Sequence, residues 1–129
     1  MELMRTLVLE ETEADLVHHG RILATIPGVG LDLFADPAAA SKTFVDQKID
    51  VLVAFLKQIH LISGQRDVPT ILLVGNGDKD ARRAAYEYGV YNVIEKPIDP
   101  VSYLCIVRNA LSIQVMRRND ATRAMAVVD

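Results

Sequence analysis

Pro69-Thr70-Ile71-Leu72-Leu73-Val74 runs straight into Gly75-Asn76-Gly77-Asp78, and the reading of this junction decides the fold. A short apolar run that stops at a glycine-rich turn reads as a strand buried on both faces, followed by a loop. Asp80 to Tyr88 then carries helical spacing, and Gly89 is placed to end that helix in a left-handed conformation. Tyr91-Asn92-Val93-Ile94 is a further short strand, closed by Lys96-Pro97. Strand, loop, helix, strand is the repeating unit of a parallel sheet.

The same alternation extends to both sides. Upstream, Thr6-Leu7-Val8-Leu9 reads as a buried strand ended by Glu10-Glu11. Thr12 offers a helix cap with Asp15 three residues on, and Leu16, Val17, Ile22, Leu23 and Ile26 supply the apolar positions of a helix closed by Pro27-Gly28. Gly20 inside that helix costs roughly 1 kcal/mol relative to Ala. Leu31-Asp32-Leu33-Phe34 alternates as a second strand, and Asp36-Pro37 opens a second helix with an acidic cap and Pro at its first position. Ile49 to Phe55 is a third apolar run, although Ala54 to Ile59 could equally open a helix. Downstream, Asp99-Pro100 caps a last helix with Leu104, Val107, Leu111 and Val115 on its apolar face. Five strands alternating with helices predict a flavodoxin-like α/β fold: one five-stranded parallel sheet, order 2-1-3-4-5, with helices on both faces.

Composition removes several function classes. The chain has 129 residues, enough for one domain, and half of them are apolar. Lys plus Arg number 14 against 17 Asp plus Glu, a net charge of −3 with no basic block, so direct nucleic-acid binding is not expected. No apolar run approaches the roughly 20 residues of a membrane helix. The N-terminus does not read as a signal peptide, and the single Cys105 fits a reducing, cytoplasmic setting. Cys105 itself reads as packed core, and His18, His19 and His60 lack metal-ligand spacing with it; His18-His19 reads as a helix face. Gly75-Asn76-Gly77 lacks the third glycine of a dinucleotide fingerprint and follows the wrong strand. No nucleophile-base arrangement emerges, so no enzyme activity is expected of this chain.

In sheets of this kind a site forms at the carboxyl ends of the strands. There stand Glu10-Glu11, Ala54-Phe55, Val74-Gly75, Val93 and Lys96-Pro97. With these residues, from about Arg5 to Ser112, the sequence resembles the receiver domain of two-component response regulators, the CheY-like family. The likeness is strongest from Arg66-Asp67-Val68-Pro69 through Lys96-Pro97-Ile98-Asp99-Pro100 to Val107-Arg108-Asn109-Ala110-Leu111, and Val74 and Lys96 keep the family's distance between its hydroxyl position and its Lys-Pro. The resemblance implies a phosphorelay signalling domain. An acidic pair after strand 1 and an acceptor Asp after strand 3 hold Mg²⁺. A Thr or Ser after strand 4 and the Lys after strand 5 bind the phosphoryl group, and an aromatic in strand 5 turns inward in response.

This sequence departs from that pattern. Glu10-Glu11 replaces a shorter acidic pair, and reads either as solvated acids or as residual Mg²⁺ ligands; no other cofactor is expected. The acceptor position falls on Phe55, or the acceptor loop is deleted, since the segment from Ala54 to Val68 is shorter than in receivers. The hydroxyl position falls on Val74 and the switch aromatic on Val93; only Lys96 is unchanged. Lys96 then calls for a local anion, and Glu10 or Glu11 is expected to supply it in a partly exposed, weak ion pair. The expected function is a degenerate receiver, a pseudo-receiver acting as an interaction module. Its rivals are a phospho-accepting receiver with an atypical site or a missing loop, and a flavodoxin-like small-molecule-binding domain. Receivers pair through the helix before strand 5, strand 5 and the last helix, which here assigns Tyr88, Tyr91, Tyr103 and Val107 to a homodimer interface. Residues 1–116 form the domain, and 117–129 a connector or tail toward a possible output domain. Lys96-Pro97-Ile98-Asp99 followed by Arg108-Asn109-Ala110-Leu111 resembles receivers fused to HD-GYP cyclic di-GMP phosphodiesterases.

Overall fold

The computed structural model describes residues 4–55, 68–87 and 89–128, with side chains up to residue 121. Its elements are β1 (Met4–Leu9), α1 (Glu13–Leu23), β2 (Val29–Phe34), α2 (Pro37–Asp46), β3 (Val51–Phe55), β4 (Thr70–Val74), α3 (Lys79–Glu87), β5 (Asn92–Glu95) and α4 (Pro100–Val128). The strands form one parallel sheet in the order β2-β1-β3-β4-β5, as the alternation of elements predicts. The alternative reading of Ala54 to Ile59 is settled as far as Phe55, which ends a strand; the rest of that stretch lies outside the described residues.

The period-two geometry of a strand sends alternate side chains to opposite layers. Val8, Val51, Val53, Phe55, Ile71, Leu73 and Ile94 join Leu16, Ile22 and Leu23 of α1 and Tyr103, Val107, Ala110 and Leu111 of α4. Leu7, Leu9, Leu52, Ala54, Leu72, Val74 and Val93 join Ala40 and Phe44 of α2 and Ala85 of α3. Every residue of the central strands β3 and β4 is buried, which explains their unbroken apolar sequences.

The caps form as the sequence predicts. The Thr12 side chain accepts from the Asp15 N–H, and the Asp36 side chain accepts from the Ala38 N–H at the start of α2. Gly89 has φ +81°, so the turn into β5 relies on its left-handed freedom. Gly20, a cost within its own helix, is explained by packing: a Cβ there would meet Leu33 Cδ1 at 3.1 Å. One boundary moves. α1 stops at Leu23 rather than at Pro27, because Thr25 and Ile26 turn back onto the Ile22 and Leu23 carbonyls, while Ile26 still packs on the core.

α4 is one continuous helix across the expected boundary at residue 117, and its 29 residues span about 43 Å. Among the described side chains its buried residues end at Leu111, while Gln114 and Arg118 still reach Asp50 at the amino edge of the sheet. Two expectations for this helix are overturned. Tyr103 and Val107 lie four residues apart on the face turned to the sheet, and both are wholly buried rather than on an interface. Cys105 is exposed rather than packed. At about 100° per residue it points nearly opposite to Tyr103. No helix among the described residues is long and apolar enough to cross a membrane.

Candidate functional site at the carboxyl edge of the sheet

Glu10 follows β1 directly, and its N–H donates to the Phe34 carbonyl at 3.0 Å, which extends the β1–β2 pairing by one residue. Lys96 follows β5 in the same way, its N–H on the Val74 carbonyl at 2.9 Å. The backbone ladder therefore aims both side chains across the ends of the central strands. Lys96 Nζ donates to Glu10 Oε1 at 2.9 Å, and its next carboxylate is Asp15 at 3.6 Å. The same ammonium stands 4.6 Å from the centroid of the Phe55 ring. Phe55, Glu10 and Lys96 thus meet in one place, and of the two glutamates expected to pair with Lys96 it is Glu10 that does.

Glu10 and Glu11 part company. Glu11 is exposed, as a solvated acid would be, but Glu10 is fully buried, so the ion pair expected of Lys96 forms with one buried end and one that is a quarter exposed. Its carboxylate takes three donors: Lys96 Nζ, the Glu11 N–H at 3.0 Å, and His19 Nε2 at 2.8 Å. Burial pushes this carboxyl upward. The hydrogen bonds from His19, Lys96 and the Glu11 backbone, with the Lys96 charge, outweigh that and hold it below its ordinary value.

His19 was unforeseen as a member of the site. It is wholly buried on α1, between Glu10 and the Tyr103 hydroxyl, which lies 2.6 Å from Nδ1. The two rings meet edge to face, 5.1 Å between centroids. Burial first, and the Glu10 charge second, raise the Tyr103 phenol far above its ordinary range, so it keeps its proton and donates it to Nδ1. An ionised Glu10 accepts only, so Nε2 carries the imidazole hydrogen. The chain of donors runs from Tyr103 through His19 to Glu10, where Lys96 also ends. The sequence held one signal for this: His19 shares the helical spacing of Leu16, Ile22 and Leu23.

Val74 and Val93 are both buried in the layer under α2 and α3, where neither offers a hydroxyl or a ring. Gly75 and Pro97 lie at the edge, half-buried and exposed, and the Lys96–Pro97 bond is cis. Of the assigned interface residues, Tyr91 is exposed, Tyr103 and Val107 are core, and Tyr88 lies outside the described residues. His18 is exposed, and His60 lies outside the described residues.

No family model matches the chain. A cyclic di-GMP phosphodiesterase response regulator, RpfG of Xanthomonas campestris pv. campestris (strain 8004), is 27% identical over 105 residues, a match that takes in 73% of this chain and only 28% of that protein. The signal receiver domain of an HD domain-containing protein from Pseudomonas fluorescens Pf-5 superposes with a TM-score of 0.77 at 21% identity, over 92% of this chain and 94% of that one. The N-terminal receiver domain of a response regulator from Bacteroides fragilis gives 0.74 at 19% identity, over 84% and 97%. Full-length FixJ from B. japonicum gives 0.77 at 16% identity, over 99% of this chain and 67% of that one. With its sheet order, its helices on both faces and Lys96-Pro97 after the fifth strand, this chain has the CheY-like fold of response-regulator receiver domains.

Proposed function

We propose that this chain is a pseudo-receiver: a cytoplasmic, non-enzymatic signalling module that works through protein contacts without accepting a phosphoryl group. One observation carries the reading. The Lys96 ammonium, free to bind a phosphoryl group in a working receiver, here lies on the buried Glu10 carboxylate with the Phe55 ring beneath it. A phenyl ring has no oxygen to phosphorylate, and it meets the cation through its π face instead. The donor set does not fit Mg²⁺ either. That ion wants several oxygen ligands, whereas the Glu10 oxygens serve a lysine, a histidine and a backbone N–H, and Glu11 is turned to solvent. Incubation with acetyl phosphate and Mg²⁺ followed by intact-mass measurement is expected to leave the mass unchanged. An adduct of one phosphoryl group would overturn the reading.

The contacts are assigned to a second copy of the chain, through α3, β5 and α4. Those elements and the turn before β5 expose Tyr86, Tyr91 and Val101, side chains able to give an interface apolar area, with a hydroxyl on each tyrosine. α4 would then carry the pairing toward an output domain. Sedimentation equilibrium at tens of micromolar should show a dimer that Tyr91→Ala with Val101→Asp weakens; a monomer at every concentration would refute the pairing.

A further inference from the structure

The side of α4 that faces the sheet carries Tyr103, Val107 and Leu111 at helical spacing, all buried. One and two turns further on, the same stripe carries Gln114 and Arg118. The apolar seam gives way to a polar one where the helix passes the amino edge of the sheet. Val115 and Met116, between those two in sequence, are exposed. Gln114 and Arg118 converge on Asp50, the residue before β3. Gln114 Nε2 donates to the Asp50 carbonyl at 3.0 Å, and the Arg118 guanidinium donates to the Asp50 carboxylate. Asp50 is itself buried, and its carboxylate also accepts the Arg5 N–H at 2.8 Å. Arg118 Nη1 further donates to Met4 Sδ at 3.0 Å, so the clasp takes in the start of β1 as well.

The two halves of α4 are thus held by different forces. Lifting the first half would return Tyr103, Val107, Ala110 and Leu111 to water, at the cost of their apolar area. Lifting the second half breaks hydrogen bonds and exposes little apolar surface, as in segments that open below the cost of global unfolding. A cavity of about 720 Å³ lies beside it, with Ile113, Gln114, Arg117 and Arg118 along its α4 wall and the approaches to β4 and β5 opposite. On that flank the helix has space to shift into.

We infer that Asp50 is the latch of a two-position helix. Held by Gln114 and Arg118, α4 leaves the domain in one fixed direction. With the latch open, the stretch from Ser112 onward turns as a unit while the first half stays on the core. Asp50 and Arg118 are positioning residues, acting on the direction of the helix. The stretch from Ser112 to Val128 is about 25 Å long, so a turn of about 10° at its base moves its end by about 4 Å. Anything joined to that end moves with it. The latch stands whether or not the chain pairs or accepts a phosphoryl group.

The test is amide hydrogen exchange on the whole chain, read at residues 113–121, at 103–111 and along β4. Arg118→Ala should speed exchange at 113–121 by about tenfold or more, the worth of a hydrogen bond to a charged group, with much less change in the other two regions. Gln114→Ala should speed the same amides by a smaller factor. Arg108→Gln, an exposed change on the same helix, should leave them as they are. Arg118→Lys, which keeps a charged donor, should recover part of the protection. Direction is read separately, as the distance between spin labels on Lys42→Cys and Asp120→Cys in a Cys105→Ser background, all exposed positions. The closed latch should give one narrow distance, and Arg118→Ala a shifted or broadened one. Exchange at 113–121 unchanged by Arg118→Ala and Gln114→Ala, an equal rise in all three regions, or an unchanged distance distribution would each overturn the inference.

Discussion

Replacing Glu10 with alanine removes the shared acceptor of three donors at a position without solvent access. Two losses follow. The His19 Nε2–H is left buried without its partner, at a cost of about 1–3 kcal/mol. The Lys96 ammonium loses its 2.9 Å partner and keeps only Asp15, a half-exposed carboxylate at 3.6 Å. Breaking a buried charged pair from one side costs about 3–5 kcal/mol. Lys96 is a quarter exposed and regains some hydration, which holds its share to the lower end, about 3 kcal/mol, and with the His19 loss the whole effect is about 4–6 kcal/mol. That is a large share of a stability of about 5–15 kcal/mol. Urea unfolding followed by circular dichroism measures it as a fall in midpoint at constant slope. Glu11→Ala is the control, since that exposed side chain should change stability by no more than about 0.5 kcal/mol. A loss below about 1 kcal/mol for Glu10→Ala would place the network among solvated surface pairs and refute the reasoning.

Other consequences are smaller or simpler to read. Lys96→Ala leaves Glu10 with two donors and should cost about 1–3 kcal/mol, more than an exposed ion pair is worth. Glu10 sits below its ordinary value of 4.5, so its contribution is complete above that pH and disappears as pH falls through the lower folded value. The stability gap between the native chain and Glu10→Gln should therefore narrow on acidification from about pH 7 to about pH 3, and a constant gap would contradict the shift. Tyr103→Phe deletes one buried donor to His19 and should lower stability by about 1–2 kcal/mol in the same unfolding assay. Cys105 should react with a thiol reagent in the native state at a rate close to that in urea; strong native protection would place it back in the core.

Much of the fold was legible because it is written in short-range pattern. The apolar run Thr70–Val74 and the glycine loop after it, the Thr12 and Asp36 caps, and Gly89 at the turn into β5 all depend on residues within a few positions of each other. With five strands alternating with helices, right-handed crossovers leave few sheet orders, so topology followed from the same local signals. The meeting of Glu10, Phe55 and Lys96 was also within reach, because each ends or follows a strand and the carboxyl ends of a parallel sheet lie together.

What those residues do to one another was decided by tertiary structure. Glu10 and Glu11 are adjacent in sequence, yet β1 turns one into the core and leaves the other in water. His19 became part of the site only because α1 lays it against Tyr103, 84 positions away, and Asp50 was fixed by Arg118, 68 positions away. Cys105 and Tyr103 exchanged their expected places through the rotation of α4 about its own axis. Periodicity reports which residues share a face. Whether a polar side chain on that face is buried depends on partners that only the folded chain brings near, because burial without them would cost more than the contact returns.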